Sequence, residues 1–179
     1  MDDSDGQAFY KSSKILGLPY PGGPLIDKNA ASGNPMAFRF SKPKVDGLNF
    51  SFSGLKTGIL YFIQKKVKEN PNFIEENLND ICASIQRTIV EILFDKLILA
   101  AEQTGISEIA IAGGVSANSE IRSTLTSLRE TYGWNTYIPK FEYTTDNAGM
   151  IAITGYLKYS TDQINNELSA TARLNVQES

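Results

Sequence analysis

The chain has 179 residues, 41% of them hydrophobic and 21% charged, with a net charge of −3. These figures fit one soluble globular unit of ordinary domain size with a real core. Histidine is absent from all 179 positions, which removes Ser–His and Cys–His nucleophile systems and any HExxH metalloprotease from within the chain. The 17 basic residues are scattered and outnumbered by 20 acidic ones, against the clustered footprint of a free-standing nucleic-acid binder. The densest basic group, Lys65, Lys66 and Lys68, reads as the solvated face of a helix. Cys82 is the single cysteine; it falls in a helical pattern as a buried small hydrophobe, and the lack of a disulfide framework fits a reducing, cytoplasmic setting. No apolar run reaches the ~20 residues of a membrane span, and MDDSDGQAF is too acidic and polar for a secretory signal.

In chain order, residues 5 to 16 predict a short helix with Phe9, Ile15 and Leu16 apolar, ended by Gly17. LGLPYPGGP, 16 to 24, holds three prolines and three glycines in nine residues and predicts turns. A second short helix follows from about Pro24 to Ala31, stopped by Ser32 and Gly33, and 34 to 47 read as loop. Leu48, Phe50 and Phe52 alternate with Asn49 and Ser51, the pattern of a half-buried strand. Ser53 is placed to N-cap a helix to about Lys68, with Leu55, Ile59, Leu60, Phe62, Ile63 and Val67 at helical spacing. Residues 71 to 79 read as a polar connection or short helix. The longest helix spans about Asp80 to Gln103, with an apolar stripe of Ile81, Ile85, Ile89, Ile92, Leu93 and Leu97, and Gly105 ends it.

The run IAIAGGVSANSEIR, 109 to 122, is the most informative. A short apolar strand ends at Gly113 and Gly114; Ser116 then opens a helix, Ala117 to Tyr132. Strand, tight glycine turn and helix N-terminus expose backbone N–H groups to an anion or a ribose, and two glycines remove side chains that would hold a ligand away. Gly133 and a short strand near Thr136 to Ile138 follow, then Pro139, then TTDNAGMIAITGYLKY, a loop entering an apolar helix near Asp146. Residues 161 to 179 form a polar tail. The order helix–strand–helix–strand–helix from 80 to 160 is an α/β arrangement. Three segments result: 1–76, helical and loop; 77–160, the α/β core; and 161–179. With only two or three strands against such apolar helices, the chain reads as part of a larger fold, or as one that pairs with another subunit.

Four motifs, LGLPYPGGP (16–24), FSFSGLKT (50–57), IAGGVSAN (111–118) and TTDNAGM (144–150), in this order and spacing, resemble the tRNA adenosine threonylcarbamoyltransferases, formerly called O-sialoglycoprotein endopeptidases. The resemblance runs from residue 2 to about 160, and only to the C-terminal half of that family. It implies a helix-rich C-terminal part of an actin-like ATPase (ribonuclease H-like) α/β fold with a small sheet. It implies transfer of threonylcarbamoyl from threonylcarbamoyl-AMP to N6 of adenosine 37 in tRNA, companion subunits, and one divalent metal (iron or zinc) in the full-length family. The family's HxxxH metal ligands and glycine-rich phosphate segment are not in this chain. The fragment is therefore expected to be inactive alone, to bind no transition metal, and to have exposed apolar surface that a homodimer could bury. A non-catalytic interaction module of the same family is the alternative; a protease would rest on the old family name only.

Residue by residue, the resemblance implies that Gly23 contacts substrate, that Asp27 contacts the nucleotide, that Asn118 contacts the adenylate, and that Asp146 is the third metal ligand. The Gly113–Gly114 turn completes the expected site. Asn118 offers an amide donor and a carbonyl acceptor, suited to a ribose or adenine edge, and equally a helix cap. Asp27 equally reads as a solvated helix carboxylate. Asp146 equally reads as the N-cap of the apolar helix, and both roles can hold, although one aspartate cannot bind a transition metal tightly. Tyr10 stands where the family usually has aspartate, in AFYK rather than AFDK, and Ser4–Asp5 replaces the common Ala–Ala.

Overall fold

The computed structural model describes residues 5–145 and 147–162. The chain divides into two compact units, Met1–Thr144 and Thr145–Ser179. The first unit is built around one long helix. α1 (Asp5–Ile15) and α2 (Gly22–Ala30) form a hairpin, α3 (Ser53–Glu69) leads into α4 (Phe73–Thr104), and the α/β portion is β1 (Glu108–Ala110), α5 (Ser119–Tyr132) and β2 (Asn135–Tyr137). β1 and β2 pair in parallel, Ile109 opposite Thr136, with α5 as the crossover, as a parallel pair requires.

α4 dominates because its stripe is the broadest. Ile81, Cys82, Ile85 and Ile89 are fully buried, together with Ile26 of α2, Leu55 and Ile59 of α3 and Leu125 of α5. Residues 81–86 are all buried, so the middle of this helix is enclosed on every side. The segment after α2 has no regular structure, and its polar groups are met by α4 side chains. Asn34 N–H donates to Asp80 at 2.7 Å and Phe38 N–H to Ser84 at 3.1 Å, while Lys96 Nζ donates to the Val45 carbonyl at 2.7 Å. A loop laid on a helix surface must settle its backbone groups in this way. Phe38, Phe40, Phe62 and Phe73 close the space beneath it, with ring centroids 5.3–5.9 Å apart.

Several elements depart from the sequence reading. The predicted strand at 48–52 does not form. Alternation yields a strand only where a neighbouring edge is available; here Phe52 is buried at the head of α3 and Phe50 stacks over it, 6.4 Å away and nearly parallel. Ser53 is the first residue of α3, and Phe52 occupies the cap position without a side-chain hydrogen bond. α2 begins at Gly22, ahead of Pro24. The short helix of the 70s is continuous with α4, kinked at Asn77. Gly17, Gly105 and Gly133 end their elements with left-handed backbones, as read.

The second unit contains α6 (Ala148–Ser160). Asn147, not Asp146, is its N-cap: the Asn147 side chain accepts from Met150 N–H at 3.1 Å. Asp146 lies outside the described residues, as do 163–179 of the polar tail. No helix among the described residues is long and apolar enough to cross a membrane.

Candidate functional site

The site is built where α2 meets the start of α5. β1 delivers the chain to Gly113, whose φ of 76° and ψ of 178° place it in a region open essentially to glycine. The chain does not pass directly into the predicted helix. It forms a 3-10 turn, Gly114–Ala117, and α5 starts only at Ser119. Ser116 closes the turn, donating from both its N–H (3.0 Å) and its hydroxyl (2.7 Å) to the Gly113 carbonyl. Arg122 holds it from the other side, donating to the Ser116 carbonyl at 2.9 Å and to Pro139 at 2.7 Å. A Cβ built on Gly114 would meet nothing within 4 Å, so that position is bare backbone facing open space.

Asn118 is buried and caps α5: its Oδ1 accepts from Glu120 and Ile121 N–H, each at 3.1 Å. Its Nδ2 donates to Gln86 of α4 at 2.8 Å. Both acceptor lone pairs and one of the two amide hydrogens are thus committed, which leaves a single donor for a ligand. Of the donor and acceptor that an asparagine side chain offers, the helix N-terminus has taken the acceptor. Next along the chain, Ser119 donates its N–H (3.0 Å) and its hydroxyl (2.6 Å) to the two carboxylate oxygens of Asp27. Asp27 therefore clasps α2 to the N-terminus of α5, where a negative charge is favoured.

Gly23 precedes Asp27 by four residues and lies on the same face of α2. The fold thus brings Asp27, Asn118 and the turn that follows Gly113 to the α2–α5 junction; Gly23 sits one turn ahead of Asp27 on α2, with Phe9 of α1 4.0 Å from where its Cβ would stand. The clasp explains the convergence: residues 118 and 119 reach α4 and α2 respectively. Two participants had no part in the sequence reading. Gln86 orients the Asn118 amide; its signal was a polar residue inside the apolar stripe of the long helix. Ser119 gave no signal separable from an ordinary helix start. Beneath the turn lies an apolar cavity of about 200 Å³, lined by Phe50, Leu93, Phe94, Leu97, Ile111 and Val115 among others. Ser116 is the one polar side chain in its lining, and its hydroxyl is committed to the Gly113 carbonyl, so little in it would orient a nucleotide.

The described residues do not fit a metal centre. They contain no group of three or more His, Cys, Asp or Glu able to hold an ion. Cys82 is buried in the core, and burial pushes its thiol up from 9.0 to about 11, away from the thiolate that binds metals.

A helix-rich body carrying a small parallel sheet, with a glycine turn at the carboxyl end of a strand and polar side chains converging beside it, is an α/β fold of the kind that places its ligand loops at strand ends. A sequence profile for tRNA N6-adenosine threonylcarbamoyltransferase matches residues 1–153, and the chain belongs to that family. Proteins of that name share 65% identity over 159 residues in Christiangramia forsetii (89% of this chain, 47% of the relative) and 56% over 174 residues in Riemerella anatipestifer (97% and 51%). The Cytophaga hutchinsonii protein is 51% identical over 176 residues, 98% of this chain and 51% of its own. The chain spans about half the length of the curated relatives it matches.

Proposed function

We propose that this chain supplies the adenylate-facing half of a cytoplasmic transferase that moves threonylcarbamoyl from threonylcarbamoyl-AMP to N6 of adenosine 37 in tRNA, and that it is inactive alone. The observation that carries this reading is the convergence of Asp27, the Gly113–Gly114 turn and Asn118 at the α2–α5 junction, with Gly23 one turn ahead of Asp27 on α2. In this role the chain binds and orients. Gly113 and Gly114 let a ribose approach bare backbone, and the remaining Nδ2 hydrogen of Asn118 donates to a ribose or adenine acceptor. Asp27 acts through Ser119, fixing where α5 starts. Partner polypeptide supplies the phosphate-binding groups and the histidine ligands of the family's divalent metal, to which Asp146 would add one carboxylate. Tyr10, in the place of the family's usual aspartate, supports a second reading, an interaction module of the same family that has lost chemistry.

A nucleotide titration followed by amide NMR tests the site. Phosphate contacts provide much of a nucleotide's affinity, and losing ~4 kcal/mol weakens binding roughly a thousandfold. AMP should therefore bind with a dissociation constant of about 1 mM and shift amides 113–118. Asn118→Asp, which keeps the cap but removes the donor, should weaken it further. Shifts confined elsewhere would remove the site, and micromolar binding would show a self-sufficient pocket. Mixing the chain with the N-terminal half of a relative distinguishes the two readings: restored transfer supports the enzyme, and binding without transfer supports the module.

A further inference from the structure

The loop that follows α2 carries a second gathering of charged groups, and it shares no residue with the α2–α5 junction. A cleft of about 240 Å³ opens between this loop and α4, lined by Arg39, Phe40 and Lys42 from the loop and by Arg87 and Glu91 from α4, among others. Arg87 Nε donates to one Glu91 oxygen at 2.6 Å, and its Nη1 is spent on the Pro35 carbonyl (3.1 Å) and the Met36 sulfur (2.7 Å). Lys42 Nζ donates to Asp95 at 2.6 Å and stands 3.5 Å from the other Glu91 oxygen. Each carboxylate therefore has its cation. Arg39 is exposed and has no hydrogen-bond or ion-pair partner among the described residues, and Arg87 Nη2 is likewise uncommitted. Three cations are set against two carboxylates, and the surplus charge is a guanidinium. Nor does that guanidinium ride on a loose segment. Before it, Phe38 donates its N–H to Ser84 and packs its ring on Phe62 and Phe73; after it, Phe40 packs on Phe62. A backbone held on both sides limits the ordering cost when the side chain engages a ligand.

A guanidinium presents its donors in a planar fork that matches two oxygens of a phosphoryl group, and such charge-assisted pairs are among the stronger hydrogen bonds a side chain makes. We propose that this cleft is an anion site for a phosphoryl group, held by the Arg39 fork with Arg87 Nη2 and Lys42 Nζ as further donors. Glu91 sets the limit on affinity: it repels an anion, and the two cations beside it offset that repulsion. The phosphoryl group belongs to free phosphate or to a small phosphomonoester; the recognition chemistry is the same. The site does not depend on the nucleotide reading of the α2–α5 junction.

The test titrates the full 179-residue chain with inorganic phosphate, with glycerol 3-phosphate and, at matched ionic strength, with chloride, followed by backbone amide and arginine Nε–H resonances. Phosphate should give saturating shifts at residues 38–42 and 87–91, and chloride should not. Arg39→Gln removes an exposed group without a partner; it should weaken phosphate about tenfold, the loss of one charge-assisted bond, at unchanged thermal stability. Glu91→Gln should tighten phosphate severalfold. Glu102→Gln makes the same charge change about 16 Å further along α4, at 1.5 Å per residue, and should leave binding unaltered. Glycerol 3-phosphate binding more tightly than phosphate assigns the site to a phosphomonoester; equal or weaker binding assigns it to free phosphate. Equal tightening by both glutamate variants, or equal shifts with chloride, would reduce the effect to general surface charge and overturn the site. Undiminished binding in Arg39→Gln, or phosphate shifts confined to residues 113–118, would overturn it as well. So would binding of a single-stranded hexa-adenylate with no response to either small phosphate, since the ligand would then be a polynucleotide.

Discussion

Gly22 and Gly23 are adjacent, and the structure assigns them opposite sensitivities to a methyl group. A Cβ on Gly22 would lie 1.7 Å from Ser13 Oγ and 2.4 Å from Ser13 Cβ. Nonbonded carbons settle at about 3.5–4.0 Å, so rotating the hydroxyl away is not enough, and α1 and α2 must part by roughly 1 Å. Overpacking of this kind costs about 1–3 kcal/mol. The displaced Ser13 hydroxyl also gives up its bond to the Tyr10 carbonyl, worth about 1 kcal/mol. Gly22→Ala should therefore cost about 2–4 kcal/mol, or roughly 5–15 °C in Tm at 2–4 °C per kcal/mol for a chain this long. Gly23→Ala meets only Phe9 Cβ at 4.0 Å, and in a helix it should be neutral or stabilising by about 0.4–1 kcal/mol. Ser13→Gly supplies the internal check. With the serine side chain gone, the Cα of residue 13 remains at 3.9 Å, an ordinary contact. The double variant should recover about 2 kcal/mol relative to the sum of its singles, within the coupling expected of touching residues. Urea denaturation followed by circular dichroism measures all four proteins. A Gly22→Ala cost within 0.5 kcal/mol of Gly23→Ala, or strict additivity with Ser13→Gly, would refute the close-approach account. Gly23→Ala then becomes a clean probe of ligand contact, because its fold is intact.

Asn118→Ala removes a helix cap, about 1 kcal/mol, and leaves buried Gln86 without its partner, about 1–3 kcal/mol more; a total near 3 kcal/mol is expected by urea denaturation, against less than 1 for Asn118→Asp, where Gln86 can turn its amide to donate. Parity between the two variants would contradict the network. Cys82 should resist iodoacetamide at pH 8.5 and react at once in urea. Because burial raises its folded value from 9.0 to about 11, the unfolded thiol ionises first, so stability should fall as pH rises from 9 toward 11; a Cys82→Ala variant with the same slope would assign that loss to other groups. α6 exposes Ile151, Ile153, Tyr156, Leu157 and Tyr159, each more than half exposed, and such patches tend to be buried by a like copy. Self-association is expected by light scattering, relieved by Ile151→Glu, and a clean monomer at high concentration would count against it.

The elements legible in the sequence are those whose signal is local. The apolar period of α4, the glycines that close α1, α4 and α5, and the βαβ order all depend on a few neighbouring residues. The misreadings come from long-range partners. Phe50 and Phe52 alternate like a strand, but a strand needs an edge, and α3 took them as its head instead. Ser53 is a good cap by composition, yet the helix starts one residue earlier in register because Phe52 is drawn into the core. Two candidate caps, Asp146 and Asn147, lie side by side, and composition alone does not choose between them.

The site shows the same division more sharply. Its glycines could be read because Gly113 holds a backbone conformation that only glycine tolerates, so the requirement is written at the position itself. The roles of Asn118 and Asp27 could not, because each depends on what another element brings. Asn118 loses its acceptor to the N–H groups of α5 and half its donor capacity to Gln86, thirty-two residues earlier on α4. Asp27 spends both oxygens on Ser119, ninety-two residues away. Asn118 and Asp27, which family resemblance assigns to a ligand, are thus also the residues that join α2, α4 and α5. A substitution there removes a contact and a fold restraint together, and loss of binding alone does not identify a ligand residue. Gly23 and the exposed Tyr10 escape that ambiguity: neither joins elements through its side chain at a buried site, so a change in binding at either reports on the ligand itself.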